Sequence, residues 1–249
     1  MENSIKFLFS GDSALVIEFG NEISVDINKK IRKMMDSIKK ENIDGIIELV
    51  PTYCSLLVNY DVLKVDYQSL VEKLKTLLND DNETVEDEEV TLIEIPTLYN
   101  DECGPDLSYV AEYNKLSKEE VIKIHTGTDY LVYMLGFMPG FTYLGGMSEK
   151  IATPRLESPR LQIYPGSVGI AGKQTGMYPS MSPGGWRIIG RTPLKLYNPD
   201  SETPVYISSG DYIRYVSISE EEYNNILKKV ESNEYKLNIH KVKRGELNA

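Results

Sequence analysis

The sequence predicts an α+β fold in two parts: an N-terminal α/β sandwich, meaning an antiparallel sheet with two helices, followed by a domain of short strands. Three observations predict it. Residues 1–88 alternate strand-like runs with two segments of helical periodicity. From Tyr130 onward, short apolar runs are separated by Gly and Pro, with no helical pattern before Glu220. Between the two parts lies a dense acidic run, Asp80 to Glu89, without apolar periodicity, which reads as a solvated linker. The domains are therefore placed at 1–88 and 89–249.

In the first part, Lys6–Phe9 and Ala14–Phe19 read as strands joined by the turn signal Gly11-Asp12. In Ser24–Lys40, Ile27, Ile31, Met34, Met35 and Ile38 recur at steps of three and four, which puts them on one helix face opposite the lysines. Ile46–Val50 and Ser55–Tyr60 are two more strands, and Pro51-Thr52-Tyr53 turns the chain between them. A second amphipathic helix runs from about Tyr67 to Leu78. The order is ββαββα, or βαββαβ if Lys6–Phe9 stands apart and Val90–Ile95 closes the sheet.

In the second part, Val90–Pro96 is a strand, and Leu107–Lys115 and Lys118–His125 are short helices, the latter opened by Ser117 with Glu119 and Glu120 behind it. Tyr130–Leu135, Ser167–Ala171, Leu194–Tyr197 and Tyr212–Val216 read as strands of a barrel or sandwich. Ser219 caps a last helix, Glu220 to about Val230, and the final residues read as loosely ordered.

The formal charge of −11 and the lack of a Lys/Arg stripe argue against nucleic acid binding, which depends on neutralising phosphates. No apolar run reaches membrane-span length, the N-terminus lacks a secretory pattern, and the expected compartment is the cytoplasm. Cys54 and Cys103 are distant from each other, so neither a disulfide framework nor a zinc site is expected. Cys54 reads as a small buried hydrophobe in a strand, and Cys103 as a loop thiol with no His near it in sequence to activate it.

The chemistry-bearing residues cluster between His125 and Pro193. In GFMPGFTYLGG (136–146), glycines permit tight turns, Pro139 fixes one, and Phe137 and Phe141 supply flat apolar walls; the same residues also suit a packed barrel corner. Further on, Arg155, Arg160, Ser167, Lys173, Gln174, Thr175, Tyr178 and Trp186 lie on or beside loops, where a rigid scaffold presents ligand groups. Arginine forks suit carboxylates and phosphates, and Gln174 offers a donor and an acceptor to an amide. For the arginines, surface ion pairing is the alternative, and for Trp186 a place in the core. His125 ends a helix, either as a cation favoured by the helix dipole or as a general acid–base. No P-loop, GxGxxG, HExxH or GxSxG is present, so the chain either only binds or shares a site with a partner.

These residues carry a family resemblance. GFMPGFTYLGG, PRL-Q-YPGSVGIAGKQTGMYP (159–179) and SPGGWRIIGRTP (182–193), with GPDL at Gly104–Leu107 and the helix ending in His125, resemble the family that joins allophanate hydrolase subunit 1, the B subunit of 5-oxoprolinase and a bacterial sporulation-kinase inhibitor. Thr142 stands where members usually have Pro, and Lys173 where they usually have a small residue. The resemblance implies a cyclophilin-like β-barrel as the second domain. It also implies one component of an ATP-dependent 5-oxoprolinase, inactive on its own. ATP with Mg would be bound in the complex, and no cofactor tightly in this chain. The implied partners are a C-type sister subunit, similar to allophanate hydrolase subunit 2, and an A-type subunit that opens the lactam. The alternatives it carries are binding to a sensor histidine kinase and a role in allophanate or urea chemistry. From their own chemistry, His125, Arg160 and Gln174 are the catalytic candidates. Phe137, Pro139, Gly140, Phe141, Arg155, Ser167, Lys173, Thr175, Tyr178 and Trp186 are the substrate-binding candidates, and no metal ligands are expected.

Overall fold

The computed structural model describes residues 5–79 and 89–248, which form parts of two compact units, 1–85 and 86–249. The acidic linker reading falls outside the described residues, except for Glu89, which starts a strand.

In the first unit, β1 (Lys6–Phe9), β2 (Ala14–Glu18), β3 (Ile46–Pro51) and β4 (Ser55–Tyr60) form one antiparallel sheet in the order β1-β2-β4-β3. Period-two burial puts Leu15, Ile17, Leu56, Val58 and Tyr60 on the inner face. They meet Ile31, Met34 and Ile38 of α1 (Val25–Glu41) and Leu70 and Leu74 of α2 (Tyr67–Thr76) in one cluster. Burying each such side chain contributes roughly 1.5–3 kcal/mol, which explains why the helical spacing was legible. Asp66 opens α2 by accepting from the Ser69 amide at 3.0 Å. Cys54 is not in a strand: it lies half-buried in the bend between β3 and β4, its Sγ 3.0 Å from the Glu22 carbonyl.

The second unit mixes three sheets with helices. A five-stranded sheet runs β14 (Ile239–Lys243), β5 (Glu89–Thr97), β13 (Tyr212–Ser217), β6 (Asp129–Leu135) and β7 (Thr142–Gly145). A three-stranded sheet has β9 (Ser167–Ala171) between β10 (Gln174–Met177) and β12 (Arg187–Arg191). β8 (Arg160–Ile163) and β11 (Ser182–Gly184) form a ribbon. None of these sheets closes on itself among the described residues. The helices are α3 (Leu107–Tyr113), α4 (Lys118–Thr126), with a Ser117/Glu120 capping box, and α5 (Glu220–Glu231), with a Ser219/Glu222 capping box. Ile93, Ile95, Leu107, Val121, Val132, Val168, Ile189 and Ile213 share one core.

Two expectations are corrected here. Leu194–Tyr197 alternates in burial but is not a strand, because Pro193 precedes it and its side chains, not its backbone, anchor it in the core. The tail is not loose: β14 pairs antiparallel with β5, and Asn248 exchanges hydrogen bonds with Asp129. Its exposed side chains hide this from a hydrophobicity reading, since backbone pairing and polar contacts, Lys241 to Thr91 and His240 beside Glu94, hold the edge strand.

Candidate functional site

The site grows from one side chain, Trp186, the chain's only tryptophan. It follows β11 and lies buried against the paired strands β9 and β10. Gly169 and Gly176 face each other across that pair. A Cβ on Gly176 would stand 3.1 Å from the indole and 3.1 Å from the Thr142 carbonyl, and one on Gly169 would stand 3.3 Å from the Trp186 Cβ. The two glycines therefore make the seat for the ring.

Around it, Phe141 packs edge-on at 5.5 Å and Tyr178 at 6.2 Å between ring centres, with Ile163, Ala171 and Ile188 completing the cluster. Burial pushes the Tyr178 phenol up to about 12, offset in part by a hydrogen bond to the Trp186 backbone and by Arg155 and Arg160 nearby. Phe137, 72% exposed, projects from the β6–β7 loop at φ +67° and touches Phe141 edge-on at 5.7 Å. That turn is closed by Gly136 N–H donating to the Phe141 carbonyl at 3.2 Å, with exposed Pro139 and buried Gly140 (φ +82°) in its bend.

Two guanidinium groups rim the cluster. Arg155 lies 6.0 Å from the indole centre. Arg160, on β8, donates from Nη2 to Asp106 Oδ1 at 2.9 Å, and its Nη1 lies 2.8 Å from Asp106 Oδ2 and 3.4 Å from the Trp186 carbonyl. Asp106 is buried and also accepts the Ile188 N–H at 2.7 Å, while Arg187 Nη1 stands 3.9 Å away. Arg187 in turn covers the Tyr109 ring at 3.7 Å and donates to the Pro154 carbonyl.

His125 and Thr175 belong to a second, sealed cluster. His125 has no exposed surface; its Nε2 is 2.8 Å from Thr175 Oγ1 and its Nδ1 is 2.8 Å from the Tyr99 hydroxyl. Thr175 donates its one hydroxyl proton to the Gly169 carbonyl at 3.1 Å. Thr175 must then accept from Nε2–H, and in the neutral ring Tyr99 donates to Nδ1. Burial takes the His125 pKa down to about 3. The cation reading at the helix end is therefore corrected: the ring is neutral at pH 7, and it has no access to solvent through which to exchange a proton. Strand β10 divides the clusters, sending Thr175 to the histidine and turning Gly176 to the indole.

The remaining candidates are spread out. Lys173 sits exposed on the β9–β10 turn in an ion pair with Glu149. Gln174 is half-buried opposite Ala171 at the start of β10, and Ser167 is buried at the start of β9. The structure thus joins Phe137, Phe141, Tyr178, Trp186, Arg155 and Arg160, and separates His125, Thr175 and Lys173 from them. Asp106, which the sequence reading did not single out, belongs to this rim. GPDL marked the segment, but only the fold shows a buried carboxylate facing two arginines from 54 and 81 residues away. Cys103 is buried, and desolvation pushes its thiol pKa up, which keeps it protonated. No described helix is long and apolar enough to cross a membrane.

Residues 5–207 match the carboxyltransferase domain, subdomain C and D. A protein of Bacillus subtilis (strain 168) named as the B subunit of 5-oxoprolinase is 46% identical over 223 residues, which cover 86% of this chain and 93% of the relative. A conserved uncharacterized protein from Pyrococcus horikoshii of known structure is 50% identical and aligns with a TM-score of 0.52, covering 88% of this chain and 100% of that one. The urea carboxylase of Kluyveromyces lactis shares the fold at a TM-score of 0.77 and 18% identity, covering 96% of this chain and 24% of that one. The resemblance read from the Gly/Pro-rich motifs is borne out, and this chain belongs to the carboxyltransferase-domain family, subdomain C and D, together with relatives named as 5-oxoprolinase B subunits.

Proposed function

We propose that this chain is the B subunit of an ATP-dependent 5-oxoprolinase. It works in the cytoplasm with a C-type sister subunit and an A-type subunit that opens the lactam, and together they convert 5-oxoproline to glutamate. The supporting observation is the 46% identity that runs through nearly the full length of a protein of that name. In this reading the three sheets of the second unit are the walls of a cyclophilin-like barrel, and the Trp186 cluster is this subunit's share of a composite site.

A lactam resists hydrolysis because its amide is resonance-stabilised. In the overall reaction, water oxygen bonds to the carbonyl carbon, the carbon–nitrogen bond breaks, and the nitrogen leaves as an amine with a gained proton. The chain's own contribution is a dry floor of Phe141, Tyr178 and Trp186 with a cationic rim of Arg155 and Arg160. A triphosphate needs several converging cations. Here Lys173 is committed to Glu149, and the Nη1/Nη2 edge of Arg160 to Asp106. These residues suit one small anion better than a nucleotide, so ATP with its magnesium is assigned to the assembled complex and no step is routed through it here. His125 serves as a neutral strut, and Gln174 and Ser167 are kept as orienting candidates.

The test is co-expression with the sister subunits and an assay of ADP release. ADP release that depends on 5-oxoproline, and is absent with this chain alone, is expected. An assembled complex that turns over urea or allophanate but not 5-oxoproline overturns the reading, and turnover by the isolated chain overturns the composite site.

A further inference from the structure

A guanidinium has two bidentate edges: an end-on edge made by Nη1 and Nη2, and a side-on edge made by Nε–H and the second Nη2–H. Asp106 takes the end-on edge of Arg160, with contacts of 2.8 and 2.9 Å. The Nη1 proton that remains points to the Trp186 carbonyl at 3.4 Å. The side-on edge meets no acceptor among the described residues, although the Arg160 side chain is only 31% exposed. The same chain shows what that edge does when it has a carboxylate: Arg214 donates from Nε and Nη2 to the two oxygens of Asp129 at 2.6 and 2.7 Å.

We propose that Asp106 is a positioning residue that locks the end-on edge of Arg160, so that the open side-on edge binds the carboxylate of a small cyclic amide acid beside Trp186. The inference rests on the 5-oxoprolinase reading for the identity of the ligand. Four features carry it. Asp106 is buried, and its own amide pairs with the Ile188 carbonyl at 2.9 Å while its Oδ2 accepts the Ile188 N–H, so the carboxylate has one orientation. Arg160 sits on a strand, where its backbone is fixed by pairing to Gly184. The aromatic cluster borders the guanidinium: Nη1 reaches the Trp186 backbone carbonyl, and Gly184, the strand partner of Arg160, lies against the Tyr178 ring that meets Phe141 and Trp186 edge-on. Arg155 adds a second positive charge over the same indole. Asp106 touches Arg160 and not the ligand, so its effect is on aim.

Trp186 supplies the only indole N–H signal in the chain, and it reports the site directly. The full chain, alone and with its sister subunit, is titrated with 5-oxoproline and with 2-pyrrolidinone, the same ring without a carboxylate, while the indole resonance is followed by NMR. The expected result is a saturable shift with 5-oxoproline that 2-pyrrolidinone does not give. Arg160→Lys, which keeps the charge but removes the fork, should weaken binding by roughly tenfold or more. Asp106→Asn should weaken it by roughly threefold to tenfold while the indole resonance of the ligand-free variant stays in place, which general loosening of the fold would move. A shift with both rings, an unchanged shift in Arg160→Lys, an equal shift with sulfate, or no Arg160-dependent shift in either sample overturns the proposal. Arg160-dependent binding in a complex that does not hydrolyse 5-oxoproline sinks the functional reading and leaves the subsite. An active complex whose KM is unchanged in Arg160→Lys sinks the subsite alone.

Discussion

Two bidentate aspartate–arginine pairs among the described residues differ in which edge of the guanidinium is used. Asp129 is fully buried and grips Arg214 side-on, and its Oδ2 also accepts the Asn248 N–H at 2.8 Å. Asp106 is nearly as buried and grips Arg160 end-on, with the Ile188 N–H as its other donor. The first pair ties β13 to β6 and to the C-terminal segment, and the favoured fork is spent on the fold. The second leaves that fork open beside the aromatic cluster. An arginine is available for binding according to the edge its structural partner occupies, and its exposure, 30% for Arg214 and 31% for Arg160, does not distinguish the two.

The sharpest way to break this comparison is to remove each carboxylate. Asp129→Ala strands the Arg214 fork and the Asn248 N–H, and is expected to lower unfolding stability in urea by about 2–4 kcal/mol, with the C-terminal strand exchanging its amide protons first. Asp106→Ala is expected to lose less, about 1–3 kcal/mol, because Arg160 keeps the Trp186 carbonyl and Arg187 keeps the Tyr109 ring and the Pro154 carbonyl. Equal losses would mean that both pairs serve the fold alone. Next in size is Gly176→Val. Its Cβ meets the indole and a backbone carbonyl that cannot yield, so a loss of about 1–3 kcal/mol and a shifted Trp186 emission are expected. An unchanged emission spectrum would show that the glycine pair does not seat the ring.

The elements that bury apolar stripes were legible. β4 and α1 of the first unit and β9 of the second come out at or within a residue of their periodic segments, because burial of Leu56, Ile31 or Val168 imposes the spacing. β8, β10, β11 and β12 were not read. They are three to five residues long and carry Gly, Pro and Arg, so their pairing is set by neighbours distant in sequence. At the candidate site, the aromatic and arginine types picked out residues that the fold brings together, but residue type could not separate Arg160, held by a buried Asp106, from Lys173, paired at the surface. His125 shows the same limit: a histidine ending a helix reads equally as a cation or a general acid–base until the fold shows Tyr99 and Thr175 closing on both nitrogens.

That histidine gives a pH test of the sealed cluster against the open one. The folded-state pKa is depressed to about 3 against 6.5 when unfolded, so the unfolded chain binds the extra proton first. The stability His125 allows is complete above pH 6.5 and is lost as pH falls from there toward 3, with a limiting slope of about 1.4 kcal/mol per pH unit. His125→Gln should flatten that part of the stability curve, and a slope that survives the substitution would show that other groups set it.

The smallest expected effect concerns Phe137. Its left-handed φ of +67° costs a non-glycine residue about 1 kcal/mol, and its ring, 72% exposed, has an edge contact with Phe141 worth roughly as much. Phe137→Asn, which tolerates that backbone, removes both terms, so unfolding stability should change by less than about 0.5 kcal/mol. If the exposed ring serves the composite site, turnover by the assembled complex should fall while urea unfolding stays put. A stability loss of about 2 kcal/mol with turnover intact would return Phe137 to the fold, as a corner residue of the β6–β7 loop packed on Phe141.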